Sequence, residues 1–327
     1  MTGLPAWISA ALQSKLENVS RGILRERAQV ISDAYRAGGG SEIVRSELDA
    51  LAYAIVRMPA TYAASHAALN RATEIIPDFR PRSILDVGAG PGTASWAGID
   101  VWHSVQRATL VDSNPRLLAL ARQFHGAMQR PDIIADVLQG NLATTLGDAP
   151  NADVVMASYA LTETAPDALS GLLTALWGHS DRLLVIVEPG TMDGFQRIVK
   201  CRDFLIANGA TVIAPCSHAS RCPLVGNERW CHFAARLPRL RDHMIAKGAR
   251  VPFEDEKFSY LTVGKDLANA PKGQRILATP KVSKAGVALT LCAPDSAEER
   301  MVARRDKKAY KAAKRSHWGS VVDLETS

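Results

Sequence analysis

Apolar side chains recur at helical spacing through the first part of the chain. Leu48, Leu51 and Ile55 are separated by three and four residues, which places them on one face of a helix. A run of three glycines, residues 38–40, interrupts the pattern and is typical of a linker. We therefore predict a helical N-terminal region over residues 1–80.

From residue 81 onward, short apolar runs alternate with amphipathic segments. This alternation is typical of βαβ units, in which helices join parallel strands. The sequence therefore predicts an α/β fold with a parallel sheet. The predicted strands are Ser83–Val87, Thr109–Asp112, Ile133–Leu138, Asp153–Ala157 and Leu183–Glu188, with Phe258–Val263 and Val287–Leu291 as candidates to complete the same sheet.

These patterns divide the chain into five segments. The last of them is a basic tail, and the third carries most of the cysteines. We predict a helical region at 1–80, a Rossmann-like core at 81–213, a cysteine-rich insertion at 214–235, the remainder of the sheet domain at 236–297 and the tail at 298–327.

The composition is that of a folded protein, with 47% hydrophobic and 22% charged residues, and excludes a disordered or collagen-like chain. The net charge of +6 is unevenly placed. Residues 300–315 hold eight Lys or Arg against one Asp, which leaves the rest of the chain close to −1. Such a segment is typical of an arm that binds a polyanion, most simply nucleic acid; the alternative is a solvated helical tail.

Neither a membrane anchor nor a secretion signal is expected. The longest strictly aliphatic run, Leu183–Val187, is far shorter than the roughly 20 apolar residues of a spanning helix. The N-terminus mixes acidic and basic side chains where a signal peptide would have a basic segment and then an apolar one. We expect a cytoplasmic location in a bacterium or the mitochondrial matrix in a eukaryote, where the five cysteines are poor candidates for disulfides.

A glycine-rich turn follows the first predicted strand. Gly88, Gly90 and Gly92 permit positive φ and let a ligand approach the backbone. A dinucleotide fingerprint would need its third glycine where Thr93 stands, so pyrophosphate binding is disfavoured. With Asp86 two residues before the first glycine, the turn resembles the S-adenosylmethionine (SAM) loop of class I methyltransferases. The alternative is a turn that keeps its glycines for packing.

Two later positions extend this resemblance. Asp112 ends the next strand and is similar to the carboxylate that accepts both ribose hydroxyls of SAM in that fold. Asn141 stands where the fold usually has an acidic residue near the adenine amino group, a difference that bears on affinity. The predicted cofactor contacts are Asp86, Gly88, Gly90, Gly92, Asp112 and Asn141.

The segment after the fourth strand lacks the Asn/Asp-Pro-Pro-aromatic motif that orients an amino group for methylation. Residues 158–163 read Ser-Tyr-Ala-Leu-Thr-Glu instead, so methylation of an exocyclic base amine is unsupported. By fold geometry, Ser158, Tyr159 and Glu163 are expected to line the acceptor side, with a purely structural tyrosine as the alternative. No catalytic residue is assigned from the sequence.

Four cysteines are candidates for a metal site. Four thiolates hold either a tetrahedral zinc ion or an iron–sulfur cluster, and the absence of Cys-x-x-Cys pairs favours the cluster. His218 and His232 are alternative zinc ligands, although each is more often an ordinary polar side chain. The candidate ligands are Cys216, Cys222, Cys231 and Cys292.

Cys216 and Cys201 each have a second interpretation. Residues 214–217, Ala-Pro-Cys-Ser, resemble the nucleophile motif of cytosine-5 RNA methyltransferases. That motif follows the fourth strand in those enzymes, whereas here it follows the fifth strand and another helix, which favours Cys216 as a ligand. Cys201 lies within a predicted helix and is expected to be an ordinary buried side chain.

An ordered series of motifs runs from about residue 50 to 320, nearly the whole folded chain. It resembles the family of small-ribosomal-subunit methyltransferase-like proteins, which has a mitochondrial member. The motifs are Tyr62-Ala63-Ala64, Leu85–Trp96, Glu188-Pro189-Gly190-Thr191, Ala214-Pro215-Cys216, Cys222-Pro223-Leu224, Trp230-Cys231-His232-Phe233, Phe258-Ser259-Tyr260-Leu261 and Trp318-Gly319.

The resemblance implies a class I methyltransferase fold that carries SAM and a 4Fe-4S cluster held by the four cysteines. It also implies action on the precursor of the small ribosomal subunit and its rRNA, by a chain that is monomeric off the ribosome. Trp318, at the end of the basic tail, is a candidate to stack on an unpaired base. The leading interpretation is a SAM-dependent methyltransferase that acts on rRNA. The alternative, which the missing amine-orienting motif favours, is an rRNA-binding assembly factor in which SAM and the cluster are structural. A small-molecule methyltransferase would leave the basic arm and the cysteines unexplained.

Overall fold

The computed structural model describes residues 1–141, 145–267, 273–294 and 296–324. The N-terminal region is helical, as its apolar spacing predicts. Its four helices are α1 (Ala6–Leu16), α2 (Arg21–Arg36), α3 (Glu47–Val56) and α4 (Met58–Ile75), with a short 3-10 turn at Ser41–Ile43. Ser46 caps α3 by accepting a hydrogen bond from the Asp49 N–H, while the Asp49 carboxylate accepts from the Ser46 N–H. None of the helices in the described ranges combines the length and apolar character needed to cross a bilayer.

Within the described ranges, the main sheet has eight strands. They are β1 (Ser83–Val87), β2 (Arg107–Asp112), β3 (Ile134–Gln139), β4 (Ala152–Ser158), β5 (Ser180–Pro189), β6 (Thr211–Ala214), β7 (Phe233–Pro238) and β8 (Phe253–Gly264). Their order is β3-β2-β1-β4-β5-β8-β6, with β7 also paired to β8. Strands β1 to β5 are parallel and β8 is antiparallel to its neighbours. The sheet confirms the predicted α/β fold of the Rossmann-like class I methyltransferase type.

Helices cover both faces of this sheet, because alternate residues of each parallel strand point to opposite sides. Val154 and Met156 face the core shared with the N-terminal helices, whereas Val155 and Ala157 face a second core. This burial on both faces explains why the strands read as nearly continuous apolar runs. The linking helices are α5 (Thr93–Val101), α6 (Pro115–Ala127), α7 (Leu169–His179), α8 (Met192–Ala207) and α9 (Arg241–Lys247).

A second, antiparallel sheet follows the main one. It consists of β9 (Gln274–Ile276), β10 (Lys281–Val282), β11 (Gly286–Ala293), β12 (Ser296–Ala303) and β13 (Val321–Val322). Helix α10 (Lys307–Arg315) packs on it through the buried Ala313, and the two share a separate apolar core. Residues 298–303 of the predicted tail therefore lie in a paired strand.

One strand prediction is wrong. Val287–Leu291 was expected to complete the main sheet, but it forms the centre of β11 in the second sheet. Strand β8 already pairs with β5, β6 and β7, and β11 pairs along its whole length with the adjacent β12. An apolar run specifies a strand but not its partner, and sequence neighbours pair most readily.

Candidate cofactor site and cysteine cluster

The glycine turn connects β1 to α5. Gly88, Gly90 and Gly92 have φ of 75°, 54° and 81°, a region that other L-residues rarely adopt. At Gly92 an added Cβ would also lie 2.6 Å from the Trp96 ring. The turn is held against β2 because the Gly88 and Ala89 N–H groups both donate to the Val111 carbonyl. All three glycines are therefore required by the backbone conformation.

Asp86 supports this turn from behind. Its side chain is fully buried, and its Oδ2 accepts hydrogen bonds from the Ser95 N–H at 2.9 Å and the Ser95 Oγ at 2.8 Å. Its Oδ1 has no hydrogen-bond partner. Burial raises the pKa of this carboxyl to about 6. Asp86 thus ties β1 to the first turn of α5.

Asp112 lies at the carboxyl end of β2, facing the turn. Its Oδ2 accepts from the Gly90 N–H at 2.7 Å and its Oδ1 from the Asn114 N–H at 2.8 Å. Burial raises the pKa of Asp112, while these backbone donors hold it down. Each carboxylate oxygen has a second lone-pair site, so the group retains capacity for two hydroxyl donors.

A cavity of about 750 Å³ opens at the carboxyl ends of the strands, where α/β sheets bind their ligands. Four of the six predicted cofactor contacts line it: Gly88, Gly90, Asp112 and Asn141. Asp86 and Gly92 are not among the lining residues and shape the turn from outside the cavity. Residues 142–144, next to Asn141, lie outside the described ranges.

The N-terminal helices supply a wall of this cavity that the sequence did not reveal. Tyr35 on α2, Tyr53 on α3 and Arg57 between α3 and α4 all line it. The Arg57 guanidinium lies 5.2 Å from the centroid of the Tyr35 ring, a cation–π contact. Burial raises the pKa of both tyrosines, so both hydroxyls stay protonated. Helical spacing marks none of these residues as ligand contacts.

The segment between α2 and α3 closes over the same cavity. The Ser41 N–H donates to Glu163 Oε1 at 3.0 Å, and a Cβ at Gly40 would lie 2.6 Å from the Glu163 carboxyl carbon. From the other side, Asn114 Nδ2 donates to the carbonyls of Ser41 and Val44 at 2.7 and 3.0 Å. The run of glycines thus allows the chain to pass close to Glu163.

Ser158, Tyr159 and Glu163 line the cavity, as expected. Tyr159 has φ of 57°, rare for a residue with a side chain, and its hydroxyl donates to Glu256 on β8 at 2.9 Å. The Ser158 and Ser65 hydroxyl oxygens are 2.8 Å apart. The Tyr159 hydroxyl is therefore committed to the protein, in agreement with the structural interpretation of this residue.

The four candidate cysteines gather between the two sheets. Cys216 follows β6, Cys222 and Cys231 precede β7, and Cys292 lies on β11. Burial raises the pKa of the Cys231 thiol, and the neighbouring thiolates of the other three cysteines raise it further. The pKa of Cys292 is raised to about 12 by burial and by Cys216 and Cys222. The four sulfur atoms are thus electrostatic neighbours.

His218 and His232, the alternative zinc ligands, lie in different surroundings. His218 Nε2 lies 3.7 Å from Cys292 Sγ. The His232 ring packs between Trp230 and Trp318, and its Nδ1 lies 3.2 Å from the Trp230 carbonyl oxygen. Within the described ranges, no three His, Cys, Asp or Glu side chains converge as ligands of one metal ion. The four-cysteine site therefore stays a prediction.

Cys201 lies in α8, fully buried within the second core. Burial raises the pKa of its thiol to about 12. This thiol stays protonated at neutral pH and is an ordinary apolar side chain, as predicted.

The second half of the basic segment forms α10, on which Lys307, Lys308, Lys311 and Lys314 are exposed. Trp318 follows this helix and is half-buried. Its ring lies 5.1 Å from His232 in an edge-on contact, and its Nε1 is buried without a hydrogen-bond partner. Stacking of Trp318 on an unpaired base stays a prediction.

Two proteins of known name are similar to this chain in sequence. The human "Ribosome assembly protein METTL17, mitochondrial" is 25% identical over 301 residues, which cover 87% of this chain and 65% of that protein. The "Rsm22-cox11 tandem protein 2, mitochondrial" of Schizosaccharomyces pombe is 26% identical over 84% of this chain and 43% of its own length. The chain therefore spans less than two thirds of these relatives.

Among solved structures, the magnesium protoporphyrin IX methyltransferase of Synechocystis with bound SAH aligns with a TM-score of 0.42 at 12% identity, over 75% of this chain and 99% of that one. A precorrin-6y methyltransferase from Geobacter metallireducens aligns with a TM-score of 0.41 at 15% identity, over 62% and 87%. At the level of families, the description "Mitochondrial small ribosomal subunit Rsm22" matches residues 47–323, most of the chain. The chain therefore belongs to the Rsm22 family of the mitochondrial small ribosomal subunit.

Proposed function

We propose that this protein binds SAM, carries a 4Fe-4S cluster and acts in assembly of the small ribosomal subunit through contact with its rRNA. The observation that carries the proposal is the cavity at the carboxyl ends of β1 and β2, where the glycine turn meets Asp112. The family match and the ribosome assembly protein among the relatives supply the biological setting.

The cavity walls fit the parts of SAM. Gly88 and Gly90 leave space where a ligand would meet the backbone, Asp112 would accept the ribose hydroxyls and Asn141 would contact the adenine. When bound, SAM supplies an electrophilic methyl group. Tyr35, Tyr53 and Arg57 line the cavity from the N-terminal side.

The cysteines suit a cluster because four soft donors lie together between the sheets. A single zinc ion needs all its sulfur ligands at about 2.3 Å from one point, whereas a cluster binds each thiolate at a different iron. The other three cysteines raise the pKa of the Cys231 thiol, so the four thiols are close neighbours, as the ligands of a cluster must be. When bound, a cluster supplies one-electron chemistry and a cross-link; zinc is the alternative.

The chemical outcome has two versions. In the first, the protein transfers a methyl group to rRNA. In the second, it is an assembly factor in which SAM and the cluster stabilise the fold. The second is favoured because residues 158–163 lack the amine-orienting motif and the Tyr159 hydroxyl is bound to Glu256. Transfer of labelled methyl from SAM to precursor rRNA would establish the first version.

The experiment that tests the assembly role is gradient sedimentation with small-subunit precursors, with the tagged protein followed across fractions. We expect co-sedimentation with the precursor that high salt disrupts, because phosphate contacts weaken as salt rises. Sedimentation only with free protein would contradict the role. The relatives are named as mitochondrial, and we propose the matrix for a eukaryotic source and the cytoplasm for a bacterial one.

A further inference from the structure

Two arginines are buried beside the cysteine cluster. Arg202 on α8 is 2% exposed and Arg275 on β9 is 4% exposed. A buried guanidinium is costly unless an opposite charge and acceptors for its N–H groups accompany it. These two residues therefore need an explanation.

The partners that the protein provides do not meet that need. Arg275 Nη1 donates to the Gly319 carbonyl, but its Nε and Nη2 have no hydrogen-bond partner, and no carboxylate of the described residues forms an ion pair with it. Arg202 has the mostly exposed Asp203 at 3.1 Å, and its Nε is likewise without a partner. Three buried guanidinium nitrogen atoms have no acceptor, and most of the two positive charges is left uncompensated.

Both guanidinium groups lie next to the segments that carry the candidate cysteine ligands. Arg275 stands directly opposite Cys292 in the β9–β11 pairing, so the two side chains leave the sheet on the same face. Arg202 Nη2 donates to the carbonyls of His218 and Ser220, at 3.0 and 2.6 Å, in the loop that joins Cys216 to Cys222.

We propose that Arg202 and Arg275 are internal counter-charges of the four-thiolate site, and that their unpartnered N–H groups donate to its sulfur atoms. This inference rests on the proposed cluster. Four thiolates around an oxidised 4Fe-4S core carry a net charge of about −2, which two guanidinium groups balance. Reduction adds one negative charge, so the arginines stabilise the reduced form and raise the reduction potential.

A purely structural role predicts a different result. Arg202 also fastens the 216–222 loop by its carbonyl contacts, so its loss alone would lower stability. A structural arginine does not change the reduction potential of a cluster that is still bound. The potential therefore separates the two roles.

The test uses the full-length protein purified anaerobically, with the midpoint potential followed by absorbance and electron paramagnetic resonance. For Arg275→Gln and Arg202→Gln we expect a shift of the reduction equilibrium toward the oxidised form by roughly tenfold, or about 59 mV more negative for one electron. Arg275→Lys and Arg202→Lys keep the charge and are expected to retain most of the wild-type potential.

Arg229→Gln is the matched control. This arginine is two residues from Cys231 in sequence, but its side chain is 67% exposed and paired with Glu299 at 3.2 Å, so water screens its charge. We expect no shift for it. Potentials unchanged in both glutamine variants with a full cluster would overturn this inference and leave the proposed cluster intact.

Two other outcomes are decisive. If the glutamine variants cannot hold a cluster, retention of iron by the lysine variants supports the counter-charge role, and equal loss from the lysine variants overturns it. If the wild-type protein holds no iron, the proposed cluster fails and this inference with it.

Discussion

At the scale of single residues, Gly90 lines the cavity and directly contacts the group that we assign to the cofactor. Its φ of 54° suits glycine, and its N–H binds the Asp112 carboxylate that we assign to the ribose. Gly90→Arg therefore places a long side chain in the cavity as well as straining the turn. We expect SAM binding, measured by calorimetry, to weaken by roughly 100-fold or more, or about 2.7 kcal/mol.

Gly126→Arg is the control for that change, since Gly126 is exposed on α6 with open space around its Cβ position. It should bind SAM like the wild-type protein. Wild-type affinity in a folded Gly90→Arg protein would mean that the cavity is not the cofactor site.

The buried Asp86 carboxyl makes stability depend on pH. Its pKa of about 6 in the folded state exceeds the ordinary value, so the folded state binds the proton more tightly than the unfolded chain. Stability from this group therefore falls as pH rises from about 4 to 6, by up to about 3 kcal/mol. In Asp86→Asn this loss should disappear, and urea titrations at several pH values would show it. Equal pH slopes in both proteins would refute the assignment.

Substitution of Cys222 tests the predicted metal site. We expect Cys222→Ser to lose its metal and much of its soluble yield, because a missing ligand removes binding energy that contributes to folding. Cys201→Ala is the control, as Cys201 is buried in the second core and is not a candidate ligand. Iron content and yield should fall only in Cys222→Ser. Equal iron in the two variants would remove Cys222 from the ligand set.

At the scale of elements, α10 presents its lysines to solvent while Ala313 anchors it to the second sheet. Replacing Lys307, Lys308, Lys311 and Lys314 by Gln should weaken binding to small-subunit rRNA. We expect the slope of log K against log salt to become shallower by roughly 3, at about 0.7 to 0.9 for each lost phosphate contact.

The control variant removes four exposed charges from other elements by substitution with Gln, at Arg25, Arg116, Arg122 and Lys200. Its salt slope should match that of the wild-type protein. If both variants lose the same slope, the effect comes from net charge and α10 is a solvated tail.

The sequence predicts the elements that a local pattern of residues encodes, but not those that depend on long-range packing. Strands β1, β2, β4 and β5 were predictable because burial on both faces leaves long apolar runs, and the glycine turn because its φ values require glycine. The partner of β11 was not predictable, since its pattern of apolar residues suits either sheet. Tyr35, Tyr53 and Arg57 reach the cavity only through the packing of α2 to α4, which no local pattern encodes.

At the scale of the whole molecule, the cysteines join parts that otherwise have separate cores. Three of them lie in loops of the main sheet domain, and Cys292 lies on the second sheet, which carries α10. A cluster bound by all four would cross-link the two sheets and fix the basic helix relative to the SAM cavity. Metal binding would thus set the position of α10 and, through it, contact with rRNA.

The most direct test of this account is anaerobic purification followed by iron, sulfide and zinc analysis with an absorbance spectrum. We predict about four irons and four sulfides for each chain, as a cluster with four cysteine ligands requires. Stoichiometric zinc without iron, or no metal at all, would contradict the central claim.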